Sequence, residues 1–324
     1  MKRVLYSLFL VASLMYAKND DTIRFAGPVA SISHPIFKMI DDDMLKNINK
    51  KIEFRLWQNP DELRAMILKK EIDFVALPTN VAANLYNKNQ PIKLTSVPVW
   101  GILEIVSSDE AISSLEDLKN EEIIVPFRAD MPDIILQVLI KKLGYDFKTD
   151  YKLRYVPTPP DAMQLLLLRR AKHVLLAEPV TSMIMRKTGS FPISVVSPTL
   201  FRKVDLEKEW GRAFNIKPRI PLAGLASLGE VEKEVIKEFN EAYERALLWC
   251  IENPKEAGEL VSKGIPSLTK EAIMDAFTHV KFDFKTAKDS KNELNDFFEI
   301  ILEHEPKLIG DKIPNDEFYS GEGN

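Results

Sequence analysis

The sequence has one cysteine, four histidines and no excess of positive charge, and each scarcity removes a class of function. Cys250 alone cannot form an internal disulfide or a multi-cysteine metal site, and its apolar setting, ALLWCIENP, predicts a buried thiol. The four histidines lack metal-ligand spacing, so we predict no metal site. With 44 Lys and Arg against 48 Asp and Glu, the formal net charge is −4, and no basic stripe predicts nucleic-acid binding.

Recognisable catalytic patterns are absent as well. The sequence shows no phosphate-binding glycine loop and no Ser-His-Asp arrangement. We therefore predict no catalytic residues, no cofactor and no enzymatic activity.

An apolar run of signal-peptide length lies at the N-terminus. Lys2 and Arg3 precede VLYSLFLVASLMYA, which ends at Ala17 and has the layout of a secretory signal peptide. We predict that residues 1–17 are a signal peptide and that the protein is exported to a periplasm. The alternative is an uncleaved N-terminal anchor. No later apolar run approaches the length of a membrane span.

The first part of the mature chain alternates between strand-like and helix-like segments. TIRFA, KIEFRLW and IDFVALP read as strands, and each is followed by a helical pattern. This order predicts a parallel sheet with helices on its faces. The 324 residues are enough for two such lobes.

Two extended apolar runs predict where the chain passes between lobes. Residues 92–108, IKLTSVPVWGILEIVSS, are too long for one core strand. Residues 219–227 form a second extended apolar run that also contains a proline. We predict lobe 1 from residues 22–103 and 222–324 and lobe 2 from residues 104–221.

Several local expectations follow from the remaining patterns. We expect residues 191–198 to be extended and residues 202–214 to be helical. Beyond the return crossing we expect only helices, and we expect the last eleven residues to be frayed.

The motifs and their order resemble one family. A helix, a proline-ended strand and an A-x-x-x-Y helix in residues 61–109, the segment SLEDLKNEEIIVPF, and WCIENPKEA are similar to the nitrate, sulfonate, taurine and thiamine-precursor binding proteins of ABC transporters. The resemblance implies the type II periplasmic binding fold: an α/β architecture with two parallel-rich sheets flanked by helices and two crossing strands. It also implies ligand transport with an ABC permease as partner. The loop RADMPD departs from the family's serine- or glycine-rich loop.

Candidate ligand contacts lie after the carboxyl ends of the strands, near helix N-termini that favour anions. The ligand-binding residues predicted in this way are Ser31, Ser33, His34, Trp57, Gln58, Thr79, Asn80, Trp100, Gly101, Arg128, Asp130, Met131, Thr158 and Glu178.

Most of these candidates have a structural alternative. Ser31 and Ser33 also suit a helix N-cap, and His34 also suits a local hydrogen bond. The two tryptophans stack on a ligand or pack in the core. Arg128 grips a carboxylate or sulfonate in bidentate fashion, or it pairs with Asp130 or Asp133.

Three functions remain compatible with these patterns. The first is a monomeric, exported receptor that captures a small organic, anionic ligand between its lobes. The second is an enzyme on the same architecture, because chorismate-derivative lyases of menaquinone synthesis and pyrimidine synthases of the thiamine route resemble it. The third is a sensor subunit of a membrane receptor. An export signal argues against the enzymes, whose substrates are cytoplasmic.

Overall fold

The computed structural model describes residues 21–320, and the predicted signal peptide lies outside them. These residues form two mixed sheets with helices packed on their faces. The strands are β1 Thr22–Gly27, β2 Lys51–Leu56, β3 Phe74–Pro78, β4 Ile92–Val99, β5 Leu103–Ser107, β6 Glu122–Pro126, β7 Lys152–Val156, β8 His173–Ala177, β9 Phe201–Asp205, β10 Ala223–Leu228 and β11 Phe282–Thr286.

Helices connect most of these strands. They are α1 His34–Asp41, α2 Pro60–Leu68, α3 Thr79–Asn87, α4 Met131–Lys142, α5 Pro159–Leu167, α6 Val180–Gly189, α7 Ile193–Val196, α8 Leu206–Phe214, α9 Lys233–Glu252, α10 Pro254–Gly264, α11 Lys270–His279 and α12 Lys291–His304. Side chains cap several of them, since the Asn59 side chain accepts from two backbone N–H groups of α2 and Thr158 forms a capping box with Asp161.

The two sheets draw on different parts of the chain. The first has the order β11-β4-β10-β3-β1-β2, and the second has the order β7-β6-β8-β5-β9. β1 pairs in parallel with β2 and β3, and β6 pairs in parallel with β7 and β8, as the β-α alternation predicts. The strands at the crossings add antiparallel pairs. The predicted α/β class and two-sheet architecture are confirmed, and the residue limits of the lobes stay a prediction.

The long apolar run is two strands joined by a short crossing. β4 belongs to the first sheet and β5 to the second, and residues 100–102 connect them. The carbonyl of Trp100 accepts from Ile220 N at 2.8 Å on the return crossing, and Trp100 N donates to Lys281 O at 2.9 Å. The two crossings and the segment before β11 are therefore joined by backbone hydrogen bonds.

Aromatic rings fill the space between the first sheet and α9. The Phe239 ring centroid lies 4.2 Å from that of Phe74 and 5.9 Å from that of Phe25. Cys250, on the same helix, is 1% exposed, and burial raises the pKa of its thiol to about 12. The thiol is thus a protonated core group, as the apolar setting predicted.

Four local expectations are wrong. Residues 193–196 are helical rather than extended, and residues 201–205 form β9 before the helix α8 begins. β11 interrupts the expected all-helical end. The described part of the tail, residues 314–320, is packed, since Phe318 is fully buried and Tyr319 bridges to Leu94 of β4. None of the helices between residues 21 and 320 has the length and apolar character that a membrane crossing requires.

Candidate functional site

The turn after β1 presents two buried polar side chains, Ser31 and His34, that make no side-chain hydrogen bond to the described residues. Ser33 Oγ donates to Pro28 O at 2.8 Å, whereas Ser31 Oγ and both ring nitrogens of His34 have no hydrogen-bond partner among the described residues. Ser31 and His34 are fully buried. Burial lowers the pKa of His34 to about 3, so the ring is neutral at pH 7 and offers one donor and one acceptor.

The turn after β3 also presents a buried polar atom without a hydrogen-bond partner among the described residues, Asn80 Oδ1. Thr79 Oγ1 donates to Pro221 O at 2.5 Å, and Thr79 N donates to Leu222 O at 3.2 Å, which ties the start of α3 to the return crossing. Asn80 is 3% exposed, and its Oδ1 has no partner among residues 21–320. Thr79 is therefore a structural contact, and Asn80 retains an unused acceptor.

In the second sheet, the turn after β8 carries a buried ion pair beside an unpartnered hydroxyl. Glu178 is 2% exposed, and its Oε1 lies 2.6 Å from Arg202 Nη2. Arg202 also pairs with Glu104 at 2.6 Å and donates to Ser182 Oγ at 2.9 Å. Thr181 Oγ1 is buried without a partner in the described part of the chain. The cation is thus satisfied by protein, and the neighbouring hydroxyl is not.

Helix α11 contacts elements that follow strands of both sheets. Its Phe277 meets the His34 ring at a centroid distance of 5.6 Å, and its Asp275 accepts from Arg186 Nη2 of α6 at 2.6 Å. Burial lowers the pKa of His279, at the end of α11, and the charge of Arg202 lowers it further. α11 therefore contacts the turn after β1 on one side and helix α6, which follows β8, on the other.

The two predicted tryptophans are buried and hydrogen-bonded within the protein. Trp57 is 7% exposed and donates its indole N–H to Ala76 O at 3.2 Å. Trp100 is 1% exposed and donates to Val97 O at 3.0 Å and Asp283 O at 2.7 Å. Both side chains are packed in the core with their indole N–H groups satisfied, and their role in ligand binding stays a prediction.

Their neighbours in the prediction are also structural. Gln58 is exposed, and its backbone N–H donates to Glu62 of the α2 first turn at 2.8 Å. A Cβ on Gly101 would lie 2.7 Å from Lys281 Cδ, so this glycine permits close packing at the crossing. Thr158 Oγ1 donates to Asp161 at 2.6 Å within the capping box.

The loop after β6 lies beside a cavity rather than among the buried groups. Arg128 is exposed, and its guanidinium carbon lies 5.1 Å from the Tyr155 ring centroid. Asp133 accepts from Ala129 N, Gln137 and Tyr155, and no ion pair to Arg128 occurs among the described residues. The cavity of about 680 Å³ lies between α4 and the end of α12.

The other two predicted ligand contacts in this loop, Asp130 and Met131, lie at the start of α4. Asp130 caps α4 by accepting from Met131 N at 2.8 Å, and burial raises the pKa of Asp130. Met131 is 4% exposed and belongs to the core.

Sequence reasoning missed several polar residues of this region. Thr181 and Ser182 follow the predicted Glu178-Pro179 turn, so their position at a strand end was the available signal. Arg202 and Glu207 had no comparable signal, because the pattern of residues 202–214 predicts one helix. That pattern hides the strand β9, which contains Arg202, and the strand end that precedes Glu207 in α8. Glu207 Oε1 accepts from Ile102 N at 3.0 Å and Leu103 N at 3.2 Å. Burial, and then the charge of Asp205, raises the pKa of Glu207 to about 8.

The buried polar side chains at these strand ends can bind a ligand through hydrogen bonds. The buried atoms without a hydrogen-bond partner at these strand ends include two hydroxyls, a neutral imidazole and an amide oxygen, which together offer both donors and acceptors. In residues 21–320, no cluster of three or more His, Cys, Asp or Glu side chains is arranged to hold a metal ion.

Similar solved structures define the class of fold. An ABC transporter structure from Parabacteroides distasonis has a TM-score of 0.74 at 23% identity, covering 94% of this chain and 100% of that one. The periplasmic aliphatic sulphonate binding protein SsuA from Escherichia coli has a TM-score of 0.66 at 15% identity, covering 94% and 95%. SsuA from Xanthomonas axonopodis pv. citri, bound to MOPS, has a TM-score of 0.62 at 11% identity, covering 92% and 96%. These structures are substrate-binding proteins of ABC transporters or related to them, so the resemblance predicted from the sequence is confirmed. The chain has the periplasmic binding protein fold.

The family assignment comes from the sequence. The family model described as menaquinone biosynthesis matches residues 32–303, and the chain belongs to that family. No curated protein matches the chain.

Proposed function

We propose that this protein is an exported solute-binding protein that captures a small organic ligand between its two sheets and delivers it to an ABC permease in the inner membrane. The observation that carries the proposal is the set of buried, unpartnered side chains Ser31, His34, Asn80 and Thr181. An unsatisfied buried polar group costs about 1–3 kcal/mol, so a ligand that pairs with these atoms is bound strongly. We expect the protein to act as a monomer in the periplasm.

We propose further that the ligand is an organic anion. The side chains lie at or near the N-termini of α1, α3 and α6, whose positive dipole ends favour negative charge. The two hydroxyls and the neutral His34 ring supply hydrogen-bond donors. A neutral heterocycle such as a pyrimidine is the alternative, since Asn80 Oδ1 accepts a hydrogen bond rather than donating one.

A thermal-shift screen of the exported chain against sulfonates, carboxylates, nitrate and pyrimidines tests both statements. At a ligand concentration about 100-fold above Kd, binding adds roughly 2.7 kcal/mol of stability, which raises the melting temperature measurably. Stabilisation by organic anions is the expected result. Stabilisation by nitrate alone contradicts an organic ligand, and stabilisation by pyrimidines alone contradicts an anionic one.

An enzyme is the second candidate, because the family that the chain belongs to is described as menaquinone biosynthesis. The buried site favours binding over proton transfer, since a histidine with a pKa of about 3 is a weak base at pH 7. Incubating the protein with chorismate and measuring its loss by chromatography separates the candidates. Sustained turnover contradicts the receptor proposal, whereas stabilisation without turnover supports it.

Replacing Thr181 with valine should separate a ligand contact from a structural one. Thr181→Val removes an unpartnered hydroxyl at constant shape, so we expect unchanged or slightly higher ligand-free stability and about tenfold weaker ligand binding. The matched control is Thr79→Val, which removes a hydroxyl that donates to Pro221 O, and we expect it to lose about 1 kcal/mol of stability. Urea unfolding without ligand and titration with the screened ligand measure both effects. Equal loss of stability in the two variants would show that Thr181 is structural.

A further inference from the structure

A contiguous apolar patch lies at one end of the second sheet. Of the eight large apolar side chains exposed among residues 21–320, four belong to this patch: Leu168 at 53%, Phe191 at 84%, Val195 at 72% and Val196 at 70%. The Arg169 guanidinium joins the segments, because it donates to Val196 O and Ser197 O at 3.2 Å each. None of the residues of α7 is buried. Contiguous exposed apolar surface of this kind marks an interaction site.

The patch is remote from the candidate ligand site. α5 and α6 both begin at the carboxyl ends of strands, where the site lies, and both run back along the sheet. Leu168 follows the end of α5 and Phe191 follows the end of α6, so the patch lies at the opposite end of the second sheet. An occupant of the patch therefore leaves the site accessible.

The charge around the patch has one sign. Exposed Arg169, Arg170 and Lys187 flank it, and residues 179–204 contain no aspartate or glutamate. A second copy bound through the same patch would bring these cations against their own counterparts, which opposes a symmetric dimer. An anionic partner is complementary to them.

We propose that this patch binds the surface of an anionic lipid bilayer. Exposed Phe and Val side chains with flanking Arg and Lys form the combination that inserts at a bilayer interface, where the apolar groups enter the acyl boundary and the cations meet lipid phosphates. This contact places the protein on the membrane through the second sheet's far end. It is independent of the ligand, so it holds whether or not the proposed transport function does.

Vesicle sedimentation tests the proposal with the exported chain. The probes are phosphatidylcholine vesicles with and without one third phosphatidylglycerol. Each cation near an anionic surface strengthens binding roughly fivefold, so three cations give a preference for the anionic vesicles on the order of 100-fold. About 0.5 M NaCl should remove most of that preference, because the Debye length becomes short.

Paired variants identify the surface responsible. Phe191→Ser with Val195→Ser should weaken binding at least about tenfold, and Arg170→Glu with Lys187→Glu should abolish the lipid preference. The matched control is Leu68→Ser with Lys69→Glu, which changes an exposed leucine and its neighbouring cation on α2 and the residue after it, and it should leave binding within about twofold. All changed residues are exposed, so circular dichroism should show an intact fold.

Three outcomes overturn the proposal. The first is no preference for anionic vesicles, and the second is equal loss in the patch and control variants. The third is a concentration-dependent dimer in sedimentation velocity that the Phe191 and Val195 changes dissolve, because that result assigns the patch to a second copy.

Discussion

Replacing Trp100 with alanine should destabilise the protein by about 3–5 kcal/mol, the cost of removing a large side chain from a packed core. The indole is 1% exposed, and its N–H donates to Val97 O and Asp283 O. The Arg219 guanidinium carbon lies 4.4 Å from the ring centroid and Lys285 Nζ lies 5.4 Å from it. Truncation leaves a cavity, two carbonyls without this donor, and two cations without the ring face.

Trp249→Ala is the matched control for this variant. Trp249 is half-buried on α9, with Lys38 Nζ 4.0 Å from its ring centroid, so we expect its loss to cost about 1–2 kcal/mol. Urea unfolding curves monitored by far-ultraviolet circular dichroism compare the two variants without relying on tryptophan fluorescence. If Trp100→Ala unfolds at the same urea concentration as the wild type, the ring contributes little to the core, and that result supports the predicted ligand-stacking role.

Stability should fall as the pH rises through the range in which Glu207 ionises. Burial raises the pKa of Glu207 from 4.5 to about 8. Between these values the folded protein keeps the proton that the unfolded chain has released, so the carboxyl's contribution is complete below pH 4.5 and lost as the pH passes 8. The loss is on the order of 5 kcal/mol across this range.

Two substitutions isolate the effect of this carboxyl. Glu207→Gln keeps an acceptor for Ile102 N and Leu103 N but does not ionise, so we expect the slope of stability against pH to flatten. Glu207→Ala leaves both N–H groups without an acceptor and should lose about 2–4 kcal/mol even at low pH. Urea midpoints between about pH 5 and about pH 8 give the slopes. Identical slopes for the wild type and Glu207→Gln would show that another group controls the pH dependence.

The alternating part of the fold was predictable because local chemistry and tertiary structure agree there. Asn59 and Thr158 cap the helices that their types and spacing indicate, and the apolar strand IDFVALP is buried in the first sheet. The crossing could be predicted because a run of this length does not fit one strand. Physical chemistry over a few residues determines all of these features.

The missed strands lie where local signals are weakest. β9 and β11 are edge strands, and their sequences FRKVD and FDFKT carry charges that resemble the solvated face of a helix. Charged side chains protect a sheet edge from further pairing, so this composition is common at edges. Only long-range pairing with β5 and β4 makes these segments strands.

The candidate site was predictable by position but not by role. Strand ends indicated Ser31, His34, Asn80 and Glu178, because ligands in such folds lie at those ends. Whether a polar atom there has a partner depends on residues far along the chain. Thr79 is satisfied by Pro221, 142 positions away, whereas Asn80 beside it has an unpartnered oxygen. No local pattern distinguishes these two neighbours.

The strand order also determines when each sheet can be completed as the chain is synthesised. The second sheet uses one continuous stretch, from Leu103 to Asp205, so all of its strands exist before the last third of the chain is made. The first sheet needs β10 and β11 beside strands formed some 130 to 190 residues earlier, and the bridge from Leu94 to Tyr319 comes last. Until then β3 and β4 have unpaired edges, which is where a nascent chain is open to wrong pairing.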